Sequence, residues 1–222
     1  MGQDPTSEEV NQHERCRWAF RFSIDGDLRF ISHHDTIRMF KRALARAGLP
    51  VRYSEGFNPQ PKIVIPLPRP VGVASDDEQV VVDFDELIDE DQAFSALAEQ
   101  MPDQVKLKQA TQLELKQSLQ PDTVDYEFRP DQVWPDDVPT RVAAILEAES
   151  LPTQRRSPKH PKPRDIDLRP YLLDMKADEE AIHFTLQVTG SGAAKPSEIA
   201  GLLGFDAKFV NHCMRRLRVT WK

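Results

Sequence analysis

Ser32, His33, His34 and Asp35 stand side by side in this chain, and they include the residue types of both a hydrolytic triad and a metal site. A triad needs a nucleophile, a base and an orienting acid that meet in space, and consecutive residues at a helix start diverge. Two histidines on a helix chelate one metal best at i,i+4 spacing, whereas neighbours are turned about 100° apart. Ser32 followed three residues later by Asp35 has another use, as a capping-box-like helix start. The serine oxygen accepts from the free N–H groups of the first turn, and Asp35 complements the positive end of the helix dipole. On the wheel of that helix His33 falls with Ile37, Phe40, Leu44 and Ala47, and His34 falls beside Arg38 and Lys41. His33 is therefore expected to be a half-buried hydrogen-bonding residue, and an outside candidate for general acid/base work near Asp35 or Glu55. His34 is expected at the surface, and no metal is expected here.

The helix that this cap begins is the stronger feature. Arg38, Lys41, Arg42 and Arg46 occupy one side of it, Arg29 precedes it and Arg52 follows. Such a stripe is either a solvated face or a cationic surface for phosphate groups or an acidic protein. Its single sign favours binding, because residues 15–62 carry ten Lys or Arg against four Asp or Glu in a chain of net charge -7. Residues 76–103 carry eleven acids and no base, so the overall acidity does not exclude an anionic partner.

Three loops extend the basic surface. In SEGFNPQPK (54–62), Gly56 suits a positive φ, Asn58 suits an Asx turn, and the residues before Pro59 and Pro61 are extended. Phe57 in this loop either tucks into the core or, displayed beside Lys62, stacks a base. RRSPKHPKPR (155–164) places Arg155, Arg156, Lys159, Lys162 and Arg164 on a proline-stiffened segment, which is either a mobile linker or a second basic contact. GSGAAKP (190–196) leads into a helix whose first N–H groups, with Lys195 adjacent, suit an anion.

The elements that position these residues follow from periodicity. Strand-like CRWAFRFSI (16–24), the helix 33–47 closed by Gly48, extended segments 62–67 and 78–84, a helix 91–101 and a strand 105–115 give the order β-α-β-β-α-β. A looser repeat follows: a strand 123–130, a helix 140–150, extended pieces at 151–156 and 166–175, a strand 181–188, a helix 196–204 and a strand 213–221. The expected fold class is α+β, with two ferredoxin-like units in tandem and the second one irregular. Residues 1–15 are a flexible lead-in, 16–119 the first unit and 120–222 the second.

A mean hydropathy of -0.54 and the absence of any long apolar run argue against a membrane span and for the cytoplasm. The two cysteines, Cys16 and Cys213, are expected as small core residues rather than a disulfide. Two thiols are too few for an iron–sulfur cluster, and no cofactor is expected.

LRFISHHD (28–35), RALARAGLPVRYSEGFNPQPKI (42–63), PLPRPVGV (66–73), RDIDLRP (164–170) and GSGAAKPSEI (190–199) resemble the radical-SAM-linked proteins, a bacterial family of uncharacterised function. The resemblance covers residues 16 to 222. It implies an accessory role beside a radical-SAM protein with a cobalamin-binding-type region, because members are encoded next to such a protein or fused to it. His34 stands where the family usually has Leu, and Gln60 where it often has His, so His33 alone matches. With the basic stripe, the resemblance yields the expectation of a non-catalytic accessory protein that binds RNA or another phosphate-rich substrate. One alternative is a module that docks on the radical-SAM partner without nucleic acid. The other is an enzyme that uses His33.

Overall fold

The computed structural model describes residues 15–131, 134–135, 137–157, 160–190, 192–206, 208 and 210–222. The lead-in expected over residues 1–15 therefore lies, but for Arg15, outside the described residues. The chain is a mixed α+β protein that divides into two compact units. Met1–Arg69 and Asp77–Leu119 make the first; Pro70–Asp76 and Gln120–Lys222 make the second.

The first unit runs β1 (Cys16–Ile24), α1 (His33–Arg46), β2 (Ile63–Val64), β3 (Ala74–Phe84, from Asp77 onward), α2 (Glu90–Ala98) and β4 (Val105–Leu113). Its strands lie in the order β4-β1-β3-β2, with β1–β4 and β2–β3 antiparallel. Alternation along β1 turns Trp18, Phe20, Phe22 and Ile24 into one core, where Phe22 meets Phe40 of α1 edge to face at 4.8 Å. Phe40, Ala43 and Leu44 are the buried stripe that seats α1, and its charged residues are left on the opposite side. Both ends of α1 are written locally. Ser32 caps the start, and Gly48 follows the end at φ +66°, a conformation that strains any residue with a Cβ. At α2 the Asp89 carboxylate accepts from the Gln92 N–H at 2.8 Å.

The second unit runs β5 (Pro121–Phe128), α3 (Val138–Glu147), β6 (Pro152–Ser157), β7 (His160–Asp167), β8 (Leu172–Ala177), β9 (Ile182–Gln187), α4 (Pro196–Leu202) and β10 (Met214–Trp221). Its main sheet follows β10-β5-β9-β8, all antiparallel, and residues 74 and 75 pair with β10 in parallel. Tyr126 stacks on Phe184 at 5.4 Å and Phe128 meets Phe205 edge to face at 5.0 Å, fixing the sheet to its core. Arg216 is almost fully buried, with its guanidinium 5.9 Å from the centre of the Tyr126 ring.

Two parts of this unit differ from the sequence expectation. The basic proline segment is neither linker nor isolated extended loop. It forms the antiparallel pair β6–β7, with Arg155 opposite Arg164. Pro161 and Pro163 alternate in β7, so their missing N–H groups fall on one side, and among the described residues β7 pairs with β6 alone, which leaves an edge to receive them. The extended piece expected over 166–175 is broken by a 3-10 turn at Arg169–Tyr171. There the Asp167 carboxylate accepts from the N–H groups of Leu151 at 2.7 Å and Arg169 at 2.9 Å, and Pro170 has no N–H to continue a ladder.

Among the described residues no helix is long and apolar enough to cross a membrane.

Candidate functional site

The site is built on the start of α1. The Ser32 Oγ accepts from the Asp35 N–H at 3.1 Å and donates to the Asp35 carboxylate at 2.7 Å. The other carboxylate oxygen takes an Arg38 N–H at 2.6 Å. The hydrogen bond from Ser32 and then the charge of Arg38 hold the Asp35 carboxyl below the usual carboxylate range, although partial burial opposes them. Asp35 is thus committed to the helix start, and the serine–aspartate pair is a cap.

His33 and His34 part as the helical wheel expects. His34 is exposed, and its ring lies 5.8 Å from that of His33 at an angle of 59°. His33 is half-buried and lines a space of about 10 Å³ with Phe22, Thr36, Ile65, Arg69 and Glu78, which is room for a single water molecule. Burial, followed by the neighbouring His34, lowers the His33 pKa from its usual value, so His33 is uncharged at neutral pH.

The cations of α1 border a larger space. Arg38, Arg42 and Arg46 stand at i, i+4 and i+8, and all three line an open cleft of about 470 Å³. The same cleft is lined by the apolar residues Leu28, Ile31, Met39, Met101 and Pro102, and by Asp35 and Gln100. Arg46 is fixed by donating to the Gln100 side-chain oxygen at 3.2 Å and the Gln100 carbonyl at 2.6 Å. Arg42 is exposed. Arg38 keeps a solvent-exposed ion pair with Asp35, which water screens. Sequence periodicity identified the cations. It missed the apolar lining, because Met101 and Pro102 arrive from beyond α2.

Beside the helix, the 54–62 loop is tied at its base. The Ser54 N–H donates to the Gln60 carbonyl at 2.8 Å, the Gln60 N–H returns to the Ser54 Oγ at 2.9 Å, and Tyr53 bridges Pro61. Gly56, at φ +118°, turns the tip. Phe57 stands wholly in solvent (113% of its reference exposure), so it does not staple the loop to the core. Asn58 accepts from the Gln60 side-chain amide at 3.3 Å, and Lys41 of α1 donates to the Gln60 side-chain oxygen at 3.0 Å. That last bond places the loop against the basic helix. Lys62 is half-buried, and its backbone bonds to Arg52 and Asp83. Arg52 lies 3.8 Å from Asp85 in a half-exposed ion pair, while the Arg29 guanidinium lies 5.1 Å from the centre of the Phe30 ring.

The second unit treats its cations differently. Arg155 donates twice to the Glu198 carboxylate, at 2.7 and 2.6 Å, and once to the Ala193 carbonyl at 3.0 Å. The Glu198 hydrogen bonds, ahead of its charge, raise the Arg155 pKa further. Glu198 also accepts from the Lys195 N–H at 2.8 Å, so the N-terminus of α4 is already met by a carboxylate of its own chain. Lys162, Arg164 and Lys195 are exposed. Arg156 belongs to β6, but its side chain lies outside the described residues, as does all of Lys159. The sequence candidates therefore separate: Arg38, Lys41, Arg42, Arg46, Phe57 and Asn58 gather about α1, and the 155–164 and Lys195 set belongs to the other unit.

The family model described as "Uncharacterized protein conserved in bacteria (DUF2344)" matches residues 17–196. No curated protein matches the chain. A solved structure described as an unknown protein from Galdieria sulphuraria is similar over 94% of this chain and 99% of its own, at 14% identity and a TM-score of 0.27. A likeness of that size carries no argument about function.

Proposed function

The chain belongs to this uncharacterized bacterial family, and from that premise we propose that it is a non-catalytic accessory protein of a radical-SAM enzyme. In this role it binds RNA, or another phosphate-rich substrate, along α1 and the loop beside it. The observation that carries the proposal is the cleft that Arg38, Arg42 and Arg46 line together with Leu28, Ile31, Met39, Met101 and Pro102. Guanidinium groups at i,i+4,i+8 follow a run of phosphates, and the apolar residues that share the cleft accept base or sugar faces. Phe57, held out by a loop that Lys41 ties to the same helix, offers a stacking surface at one end of the stripe. The strand orders β4-β1-β3-β2 and β10-β5-β9-β8 support taking each unit as ferredoxin-like, an architecture shared by RNA-recognition modules, which is analogy alone. The radical-SAM partner rests on the sequence blocks quoted above and on a thiol count too small for an iron–sulfur cluster.

Docking on the radical-SAM partner without nucleic acid is the second reading, and Met39 and Met101 in the cleft favour it, since methionine adapts to protein surfaces. One experiment separates the two. Fluorescence anisotropy of a labelled single-stranded RNA is measured at several salt concentrations, with Arg42→Glu/Arg46→Glu beside the wild type. RNA binding predicts a log–log salt slope of about -0.7 per phosphate contact, and a shallower slope with weaker affinity in the variant. No binding at low salt, or binding indifferent to salt, overturns the RNA reading. Loss of co-purification with the radical-SAM protein in the same variant then selects docking.

A further inference from the structure

Asp131, His212 and Cys213 come together in the second unit. Asp131 lies three residues beyond the end of β5, and His212 and Cys213 complete a 3-10 turn, Asn211–Cys213, that leads into β10. The β5–β10 ladder ends with Phe128 opposite Met214, and beyond it the Arg129 N–H donates to the Cys213 carbonyl at 2.9 Å. Register thus carries the two flanking segments past one another and brings their side chains together. The turn itself is fastened, because the Asn211 amide donates to the Val71 carbonyl at 3.0 Å. One donor atom from each of the three residues lies within 4.8 Å of the other two, and the His212 Nε2 stands 3.0 Å from the Asp131 carboxylate.

The His212 ion pair and a hydrogen bond to the Cys213 side chain both converge on the Asp131 carboxylate, and Cys213 is in no disulfide. A carboxylate, an imidazole and a thiol together are the donor set of zinc, whereas calcium and magnesium take oxygen ligands. Around a tetrahedral zinc with bonds of about 2.0–2.3 Å, neighbouring donors stand roughly 3.5 Å apart. With every pair of donor atoms within 4.8 Å and the His212–Asp131 pair at 3.0 Å, small side-chain rotations reach that arrangement. We propose that Asp131, His212 and Cys213 are a three-ligand site for a divalent cation of the zinc class, with the fourth position open to water or another ligand. Binding takes the thiol as thiolate and the imidazole as its neutral form, and the displaced protons pass to solvent.

The test uses the full chain, stripped with a chelator and titrated with cobalt(II) as a coloured stand-in for zinc. One equivalent is expected to bind, with a near-ultraviolet charge-transfer band from thiolate to cobalt. The chain has only two cysteines, and Cys16 is buried in the first unit with its thiol donating to the Glu86 carbonyl, so the band identifies Cys213. Cys213→Ser, at a half-exposed position, should keep the wild-type circular dichroism and lose the band. His212→Ala and Asp131→Asn should each weaken binding by more than the roughly 10–100-fold typical of an outer hydrogen-bond partner. Zinc in excess should bleach the cobalt spectrum. A wild-type titration without the band, a band that persists in Cys213→Ser, or a spectrum that zinc leaves unchanged overturns the site.

Discussion

Arg42 on α1 and Arg155 on β6 come from two basic runs that look alike in the sequence, yet the fold gives them opposite fates. Arg42 stands exposed at the rim of an open cleft. Arg155 is drawn inward and held by both oxygens of Glu198, with 26% of the Arg155 side chain and 12% of the Glu198 side chain exposed. The difference lies in where the neutralising carboxylate comes from. On α1 the nearest acid is Asp35, which Ser32 already engages. In the second unit Glu198 arrives from 43 residues away and serves Arg155 and the Lys195 N–H together. Of the cations compared, Arg42 and Arg155 thus differ in whether a carboxylate from a distant part of the chain is folded against them.

The comparison breaks first at Glu198. Glu198→Ala removes the cap of α4 and leaves the half-buried Arg155 without its anion, and it should lower unfolding stability by about 3 kcal/mol, an upper-range cap loss combined with part of a buried-pair loss. Glu198→Gln, which keeps one accepting oxygen, should cost less. Urea unfolding of both variants measures this, and a Glu198→Ala protein as stable as the wild type would place Arg155 among the available surface cations after all. RNA affinity should stay unchanged in Glu198→Gln.

Sharpening the other side calls for Phe57. Phe57→Ala should leave stability within about 0.5 kcal/mol of the wild type, because the ring touches solvent alone. Single-stranded RNA affinity should fall by about 1–3 kcal/mol, the range for removing one base-stacking aromatic. Anisotropy titrations and thermal melts on the same preparation give both values. A Phe57→Ala protein with full RNA affinity would confine any nucleic-acid contact to the arginines.

How much of this was legible in the sequence depended on how local the cause was. The bounds of α1 were, since Ser32, Gly48 and the Phe40–Leu44 stripe act within a turn or two. The break between β7 and β8 was not, because it turns on the Asp167 carboxylate capturing the Leu151 N–H from sixteen residues upstream. Likewise the cations of the cleft could be read from one helix, but Met101 and Pro102 join them only through folding. Whether Phe57 was core or display was open in the sequence. The structure displays it, at the tip of a loop closed at its base by hydrogen bonds between Ser54 and Gln60.

The smallest effect concerns the cap that presents the cationic face. Ser32→Ala removes the oxygen that accepts from the first turn, and should cost about 1 kcal/mol. The same hydroxyl is the leading cause of the lowered Asp35 pKa, so Asp35 should titrate closer to the ordinary carboxylate value in the variant. A carboxyl whose pKa is lowered by folding stabilises the native state above its unfolded pKa, and that contribution disappears as pH falls through the folded value. The stability gap between wild type and Ser32→Ala should therefore be widest near neutral pH and narrow on acidification. Urea unfolding at a series of pH values, with the Asp35 carboxyl followed by NMR, measures both. A gap that stays constant with pH would separate the cap from the carboxylate, leaving Asp35 to act through Arg38 alone.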